Sequence, residues 1–398
     1  MSRIVAVAPV LPDHAYPQEQ IADELAAILT ADPARRTLLR RLHGSCGIER
    51  RHLVVPLERY RTLGSFDETN ALALASGLDL AERAARDALA AAGLEPHDVD
   101  HVMLTTVTAI GAPSLDALLV DRLGLRPDVT RLPSFGLGCA GGAAGLARVH
   151  DHLAGHPGHV ALLVSVELCS LTLQRDDDST ANLVASGLFG DGAAAVVLAG
   201  DDRAVPHGAP DAARRAWERA PRVVGARSVL YPGSTDALGW QVGASGLRVV
   251  LSGGLADVVR VHVADDVKAL LTAHGAVPDD VRTWVVHPGG PKILDAVQDA
   301  LGLPRQALAR SWASLARAGN LSSASVLHVL ADALHAPTPR GATVSAPTTR
   351  GPAASGPPAA GAATGTTSVG GPVGVVAAFG PGVGAELVAL RWPEVSAA

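Results

Sequence analysis

Phe135-Gly136-Leu137-Gly138-Cys139-Ala140-Gly141-Gly142 sets one cysteine among glycines, between an extended arm and residues 140–154, where small and apolar side chains recur at helical spacing. The first turn of a helix offers unpaired N–H groups and the positive end of the helix dipole, and both favour a thiolate. Cys139 at such a helix start is therefore a candidate nucleophile. The flanking glycines permit a tight turn and close approach of a bulky substrate. Taken alone, the stretch fits equally well a buried, inert cysteine in a Gly/Ala packing contact.

Outward from this turn, helical and extended patterns alternate. Residues 18–43 and 69–92 read as helices, the second closed by Gly93, and His101–Thr108 reads as a buried strand. Another helix opens at Pro113 and Ser114, and 160–166 (VALLVSV) is a strong strand running into the polar groups of Glu167 to Thr172. Leu188-Phe189-Gly190-Asp191-Gly192 precedes a strand over 193–199. The plan recurs loosely afterwards: a strand at 222–229, a polar turn around Asp236, a strand near 247–252, a helix over 254–274, a strand at 283–287 and a final strand pair around Gly380-Pro381-Gly382. The pattern is that of an α/β layered fold from two duplicated halves, 1–221 and 222–398. Residues 336–372, rich in Pro, Gly, Ala, Ser and Thr, read as a flexible low-complexity insertion in the second half.

A chain of 398 residues that is 48% hydrophobic can bury a large core. Its net charge of −6 and lack of a basic run argue against nucleic acid or an anionic membrane surface as partner. Only Lys268 and Lys292 are lysines among the 33 basic residues, which with the abundant Ala, Gly and Pro suggests a GC-rich bacterial gene. Cys46, Cys139 and Cys169 are odd in number and far apart, which predicts neither a disulfide framework nor a zinc site, and no metal is expected. MSRIVAVAPV is too short for a signal-peptide core and no apolar run reaches spanning length, so a cytoplasmic protein without a membrane span is expected.

Two further polar residues end apolar elements: His287 after strand 283–286, and Asn320 in Ala318-Gly319-Asn320-Leu321-Ser322-Ser323. A histidine and an asparagine N–H can together bind the oxygen of a thioester enolate, and an imidazole can take the proton of a cysteine. Each also has a plain structural explanation, His287 as a strand end and Asn320 as a helix cap. The clustered Arg40, Arg41, Arg50 and Arg51 could grip a phosphate or simply form a solvated face.

Gly138-Cys139-Ala140-Gly141-Gly142, Leu188-Phe189-Gly190-Asp191-Gly192, His287-Pro288-Gly289-Gly290-Pro291-Lys292, Gly319-Asn320-Leu321-Ser322-Ser323 and Phe379-Gly380-Pro381-Gly382 together resemble the type III polyketide synthases, the chalcone-synthase-like branch of the thiolase superfamily. The resemblance implies a thiolase-like αβαβα fold, a homodimer, and a catalytic Cys139, His287 and Asn320. In that scheme Cys139 carries the acyl chain, while His287 and Asn320 promote decarboxylation of malonyl-CoA. It further implies Phe189 as gatekeeper, a cavity lined by Glu167, Cys169, Thr172, Val249 and Ser322, and CoA contacts at Arg41 and near Lys292. CoA thioesters are substrates, and no cofactor is expected.

Leu38 and Ser45 stand where plant members have basic residues, and Val249 replaces a phenylalanine, which should enlarge or redirect the cavity. The Glu167–Thr172 and Gly239–Ser252 stretches resemble bacterial alkylresorcinol and alkylpyrone synthases, so a long acyl-CoA starter is expected, with small Cys169 leaving room for its tail. The alternatives are a tetrahydroxynaphthalene synthase using only malonyl-CoA, a fatty-acid-initiating ketosynthase, and a non-catalytic acyl-CoA-binding subunit. His-Pro-Gly-Gly-Pro is unlike the His-Gln-Ala-Asn context of the initiating ketosynthases. A hydroxymethylglutaryl-CoA synthase would need an acidic residue near the cysteine helix, and none matches.

Overall fold

A computed structural model describes residues 1–243, 245–335 and 371–394. The reading of 336–372 as an insertion therefore falls, except for its last two residues, outside the described residues.

In the first half the strands are β1 (Ser2–Val10), β2 (His14–Pro17), β3 (Arg50–Leu53), β4 (His101–Thr106), β5 (Thr130–Phe135), β6 (Val160–Leu168) and β7 (Asp191–Gly200). Its helices are α1 (Gln18–Leu29), α2 (Pro33–Gly44), α3 (Phe66–Ala92), α4 (Leu115–Leu123), α5 (Gly141–Gly155) and α6 (Thr180–Leu188), with α7 (Asp211–Arg219) linking to the second half. There the strands are β8 (Arg222–Leu230), β9 (Leu238–Gly243), β10 (Gly246–Leu251), β11 (Val281–Val286), β12 (Val373–Gly380) and β13 (Gly384–Arg391). The helices are α8 (Leu255–Ala273), α9 (Pro291–Leu301), α10 (Ala309–Ala318) and α11 (Ser325–His335). The polar turn expected around Asp236 is present and leads into β9, which pairs antiparallel with β10.

Nine strands form one sheet in the order β11-β12-β13-β8-β1-β7-β6-β4-β5. It is two half-sheets joined where Ser2 and Arg3 of β1 meet Val223 and Arg222 of β8. The halves repeat one topology. Working outward from the join, β1, β7, β6 and β4 pair antiparallel, antiparallel and parallel, and β8, β13, β12 and β11 do the same.

Alternation along each strand builds the layers, because successive side chains face opposite sides of a sheet. Val160, Leu162 and Val164 of β6 face the outer helices α1, α3 and α4, whereas Ala161 and Leu163 face inward. In β12, Val375 and Ala377 face α8 and α9, and Val376 and Ala378 turn inward. The inward residues of both half-sheets share one core with α5 and α11, so these two helices lie between the sheets and the stack is αβαβα. Among the described residues no helix is long and apolar enough to cross a membrane.

The central helices meet the opposite segments at backbone distance. A Cβ on Gly142 would lie 2.3 Å from the Ser323 carbonyl oxygen and 2.7 Å from Val326 Cγ1. Gly142→Ala should therefore lower stability by about 1–3 kcal/mol, as expected of overpacking, whereas Gly155→Ala, with nothing within 4 Å, should leave the urea midpoint nearly unchanged. Equal midpoints for the two variants would contradict this packing.

Candidate active site

After β5 the chain turns through Gly136, at φ 94°, into a single 3-10 turn over Gly138–Ala140 and then enters α5. Cys139 thus sits just ahead of the helix. Its glycines do something other than admit substrate. A Cβ on Gly138 would meet Pro381 Cδ at 2.6 Å, one on Gly380 the Leu137 carbonyl oxygen at 2.5 Å, and one on Gly141 Thr105 Oγ1 at 2.5 Å. They let three backbone segments, 137–142, 319–324 and 379–382, close around the thiol.

Asn320 and His287 are each 2% exposed. The Asn320 amide donates from Nδ2 to the Gly289 carbonyl at 3.2 Å, and Gly289 N–H donates to the His287 carbonyl at 2.9 Å, so the asparagine is tied to the turn that carries the histidine. Asn320 Oδ1 accepts from Ser322 N–H at 2.8 Å. That bond holds Ser322 at φ 47°, a left-handed conformation that costs a non-glycine residue about 1–3 kcal/mol. Neither ring nitrogen of His287 has a hydrogen-bond partner, although both are buried. Such groups await a ligand more often than they persist unpaired.

Burial governs the protonation of each group alone. It pushes the Cys139 thiol up to about 12, helped by the nearby Glu167 carboxylate and opposed by hydrogen bonding with Ser322 and Asn320. It drives His287 down to about 3. The stabilised thiolate expected from the helix start is thus disfavoured in the isolated group, because Cys139 precedes the helix, although its side chain is only partly buried. Glu167 itself is raised by burial, while Ser323 Oγ donates to it at 2.5 Å, Thr108 Oγ1 at 3.0 Å and Val107 N–H at 3.0 Å.

Beside this centre lies a cavity with an empty volume of about 490 Å³, part of it open to solvent. Cys169, Thr172, Phe189 and Val249 all line it, together with Ile21, Leu25, Leu53 and Leu57 and the polar groups of Arg51, Tyr60 and Ser170. Phe189 joins the two regions. Its ring borders the cavity, and the flanking backbone pairs with Asn320 through Gly190 N–H to the Asn320 carbonyl, 3.0 Å, and Asn320 N–H to the Leu188 carbonyl, 2.8 Å. Glu167 and Ser322 lie at the cysteine end and are not part of the cavity wall.

The pattern of the chalcone and stilbene synthases matches the chain twice, its N-terminal domain over residues 1–202 and its C-terminal domain over residues 222–343. A 1,3,6,8-tetrahydroxynaphthalene synthase of Streptomyces peucetius subsp. caesius is 50% identical over 391 residues, covering 98% of this chain and 93% of the relative. The chain belongs to the chalcone and stilbene synthase family. It is a type III polyketide synthase. An α-pyrone synthesis polyketide synthase-like protein of Mycobacterium tuberculosis is 29% identical over 82% of each chain. The crystal structure of a tetrahydroxynaphthalene synthase from Streptomyces coelicolor A3(2) superposes with a TM-score of 0.82 at 27% identity, covering 99% of this chain and 100% of that one.

In this type III polyketide synthase the substitution at Val249 does not simply open space. Val249 pairs across the β9–β10 ribbon with Trp240, and the Trp240 ring lies 6.1 Å from that of Phe189. An indole from the neighbouring strand supplies the aromatic wall. Cys169 is buried and lines the cavity, and burial with the carboxylates of Glu167 and Asp191 raises its thiol well above the usual range.

Arg41 and Lys292 are exposed at one rim. Gly187 packs on His43 at the end of α2, and Gly290 at the start of α9 packs on Leu188, so both residues flank the same end of α6. Arg51 is no phosphate ligand. It is 2% exposed and donates to the carbonyls of Ser186 and Phe189, both at 2.7 Å, and to Gln18 Oε1 at 2.8 Å. The alternation of β3, which points Arg51 and Leu53 inward, was the signal for this and was masked by the neighbouring charges. In the sequence Asp191 stands out only through the Leu188–Gly192 motif. Its carboxylate accepts from Ser170 N–H at 2.8 Å, Ser170 Oγ at 2.5 Å and Val54 N–H at 2.8 Å, which pins the cavity wall.

If His287 receives the Cys139 proton, His287→Ala should slow iodoacetamide alkylation of Cys139 at neutral pH by about tenfold or more. Peptide mass mapping reads this directly, and an unchanged rate would remove His287 from that role.

Proposed function

We propose that this type III polyketide synthase is a 1,3,6,8-tetrahydroxynaphthalene synthase that builds a pentaketide from malonyl-CoA alone. The observation that carries this reading is the 50% identity, over nearly the whole chain, to the Streptomyces peucetius enzyme of that name. Relatives near 29% identity include both naphthalene and α-pyrone synthases, so similarity at that level does not separate products. The long-chain alkylresorcinol reading is the weaker one. Its tail would run past Cys169, where Ser170, Tyr60 and Arg51 put polar groups into the wall, and the space expected at Val249 is backed by Trp240.

In the proposed mechanism the Cys139 proton passes to His287 as the sulfur attacks the thioester carbonyl and CoA leaves. A malonyl-CoA then loses carbon dioxide, and its thioester oxygen gathers the enolate charge between His287 Nε2–H and Asn320 Nδ2–H. The enolate carbon attacks the Cys139 thioester, which breaks the carbon–sulfur bond and frees the sulfur for the next transfer. Preorganised N–H donors in a dry site are the main source of such stabilisation. Phe189 guards the passage from the CoA entrance to the cavity, Ser322 and Glu167 hold the cysteine end, Cys169, Thr172 and Val249 shape the cavity, and Arg41 and the backbone at Lys292 hold CoA. No resident cofactor is invoked.

A homodimer is part of the proposal. The edge strand β5 exposes Leu132 at 40% and Phe135 at 55%, and an apolar open edge favours pairing with a second copy.

Incubation with malonyl-CoA alone should give a pentaketide naphthalene by mass spectrometry, and Cys139→Ala should abolish it while sparing slow carbon dioxide release. Failure with malonyl-CoA alone, together with alkylpyrones from starters of ten or more carbons, would restore the long-chain reading. In Cys169→Phe the filled cavity should stop extension early, giving shorter products with decarboxylation retained. Full-length product from that variant would exclude Cys169 from the wall that limits chain length.

A further inference from the structure

A second cluster of reactive side chains lies at the opposite end of α5 from Cys139, roughly 20 Å away by the rise of a 15-residue helix. His152 lies on its last turn and His156, four residues on, caps its end. The turn that follows is set by His156 N–H donating to the His152 carbonyl at 3.0 Å and His159 N–H to the His156 carbonyl at 3.0 Å, and it folds His159 back onto both. One ring nitrogen from each residue lies within 4.8 Å of the others, and His152 Nε2 is already 3.2 Å from His159 Nδ1.

Three features point to a ligand. Nitrogens bound at about 2.0–2.1 Å to a tetrahedral ion sit about 3.3 Å apart, so two of the three are in place. The third, His156, is exposed and offers a ring nitrogen within 4.8 Å of the other two. Its Nδ1 bonds the His152 carbonyl at 3.0 Å, which orients the ring and leaves Nε2 as the free donor, the usual outer-shell arrangement of a ligating histidine. Behind them His101 stacks on His152 at 4.1 Å and is itself fixed by Thr130 Oγ1 at 2.9 Å. The unpaired carbonyls at the end of a helix also favour a cation there.

We propose that His152, His156 and His159 form a binding site for one divalent transition-metal ion of the zinc class, with solvent completing the coordination. The ion would staple the end of α5 to the turn leading into β6, a structural role remote from the condensing centre. The cysteine count predicts no metal; the spacing His-x₃-His-x₂-His at 152–159 is a separate signal.

The test uses untagged protein, freed of metal with EDTA and titrated with zinc chloride in a calorimeter. A Cys139→Ala background removes the competing thiol. One ion per chain should bind, with a rise in thermal midpoint, and His156→Ala should weaken binding about tenfold or more. Cobalt chloride should give a spectrum without thiolate charge-transfer bands. Polyketide output of His156→Ala with Cys139 intact should equal that of wild type. No saturable zinc uptake in the Cys139→Ala protein, uptake insensitive to both His152→Ala and His156→Ala, or thiolate bands with cobalt would each overturn the site.

Discussion

The close approach of three backbone segments around Cys139 is the constraint on which the rest of the site depends. The 137–142 turn, the 319–324 turn and the 379–382 turn contact one another where any Cβ on Gly138, Gly141, Gly142 or Gly380 would fall under 3 Å from a neighbour. Each segment is delivered by a different strand or helix, so the thiol cannot be positioned until both half-sheets and both central helices are packed. That order of dependence explains why the catalytic candidates lie so far apart in the chain and yet share hydrogen bonds. It also places them at the carboxyl ends of parallel strands, where α/β folds bind ligands: Cys139 after β5 and His287 after β11.

Enclosure on this scale sets the electrostatics. Separately, the thiol is held up to about 12 and the imidazole down to about 3, so neither charge is tolerated alone. Both costs arise from burying a single charge. Moving one proton from sulfur to imidazole would create the two charges together, and their attraction would recover part of what each loses to desolvation. With no partner on either His287 nitrogen, the pocket by itself disfavours a free thiolate. Glu167 works against the thiolate by its field, and its own acceptor oxygens are occupied by Ser323, Thr108 and Val107.

Much of this was legible in the sequence because it rests on local patterns. Short continuous apolar runs marked β6, β7 and the β12–β13 pair, Gly93 ended α3, and the glycine-flanked Cys139, the strand-end His287 and the turn at Asn320 each carried a visible signature. What escaped reading depends on contacts across the fold. Arg51 looks like a surface charge until Ser186 and Phe189 are seen to accept its protons. Val249 looks like lost bulk until β9, which no sequence pattern marks, brings Trp240 beside it. The resemblance to alkylpyrone synthases weighed single positions, whereas the cavity wall is a property of pairs.

The duplication accounts for one further relation within the centre. In the first half the chain runs β4, α4, β5, a 3-10 turn and central helix α5; in the second it runs β11, α9, α10, a 3-10 turn and central helix α11. The two 3-10 turns begin at equivalent places, Gly138 with φ 49° and Ser322 with φ 47°. The residue after each is Cys139 in one half and Ser323 in the other. A left-handed residue is thus demanded by the shared turn geometry, and glycine meets the demand freely in the first half. In the second half a serine meets it at a cost, offset by the Asn320 Oδ1 bond to its N–H and by its hydrogen bonding to the thiol. The strain at Ser322 is the consequence of using one turn twice: once to present the sulfur, and once to present the groups that hold it.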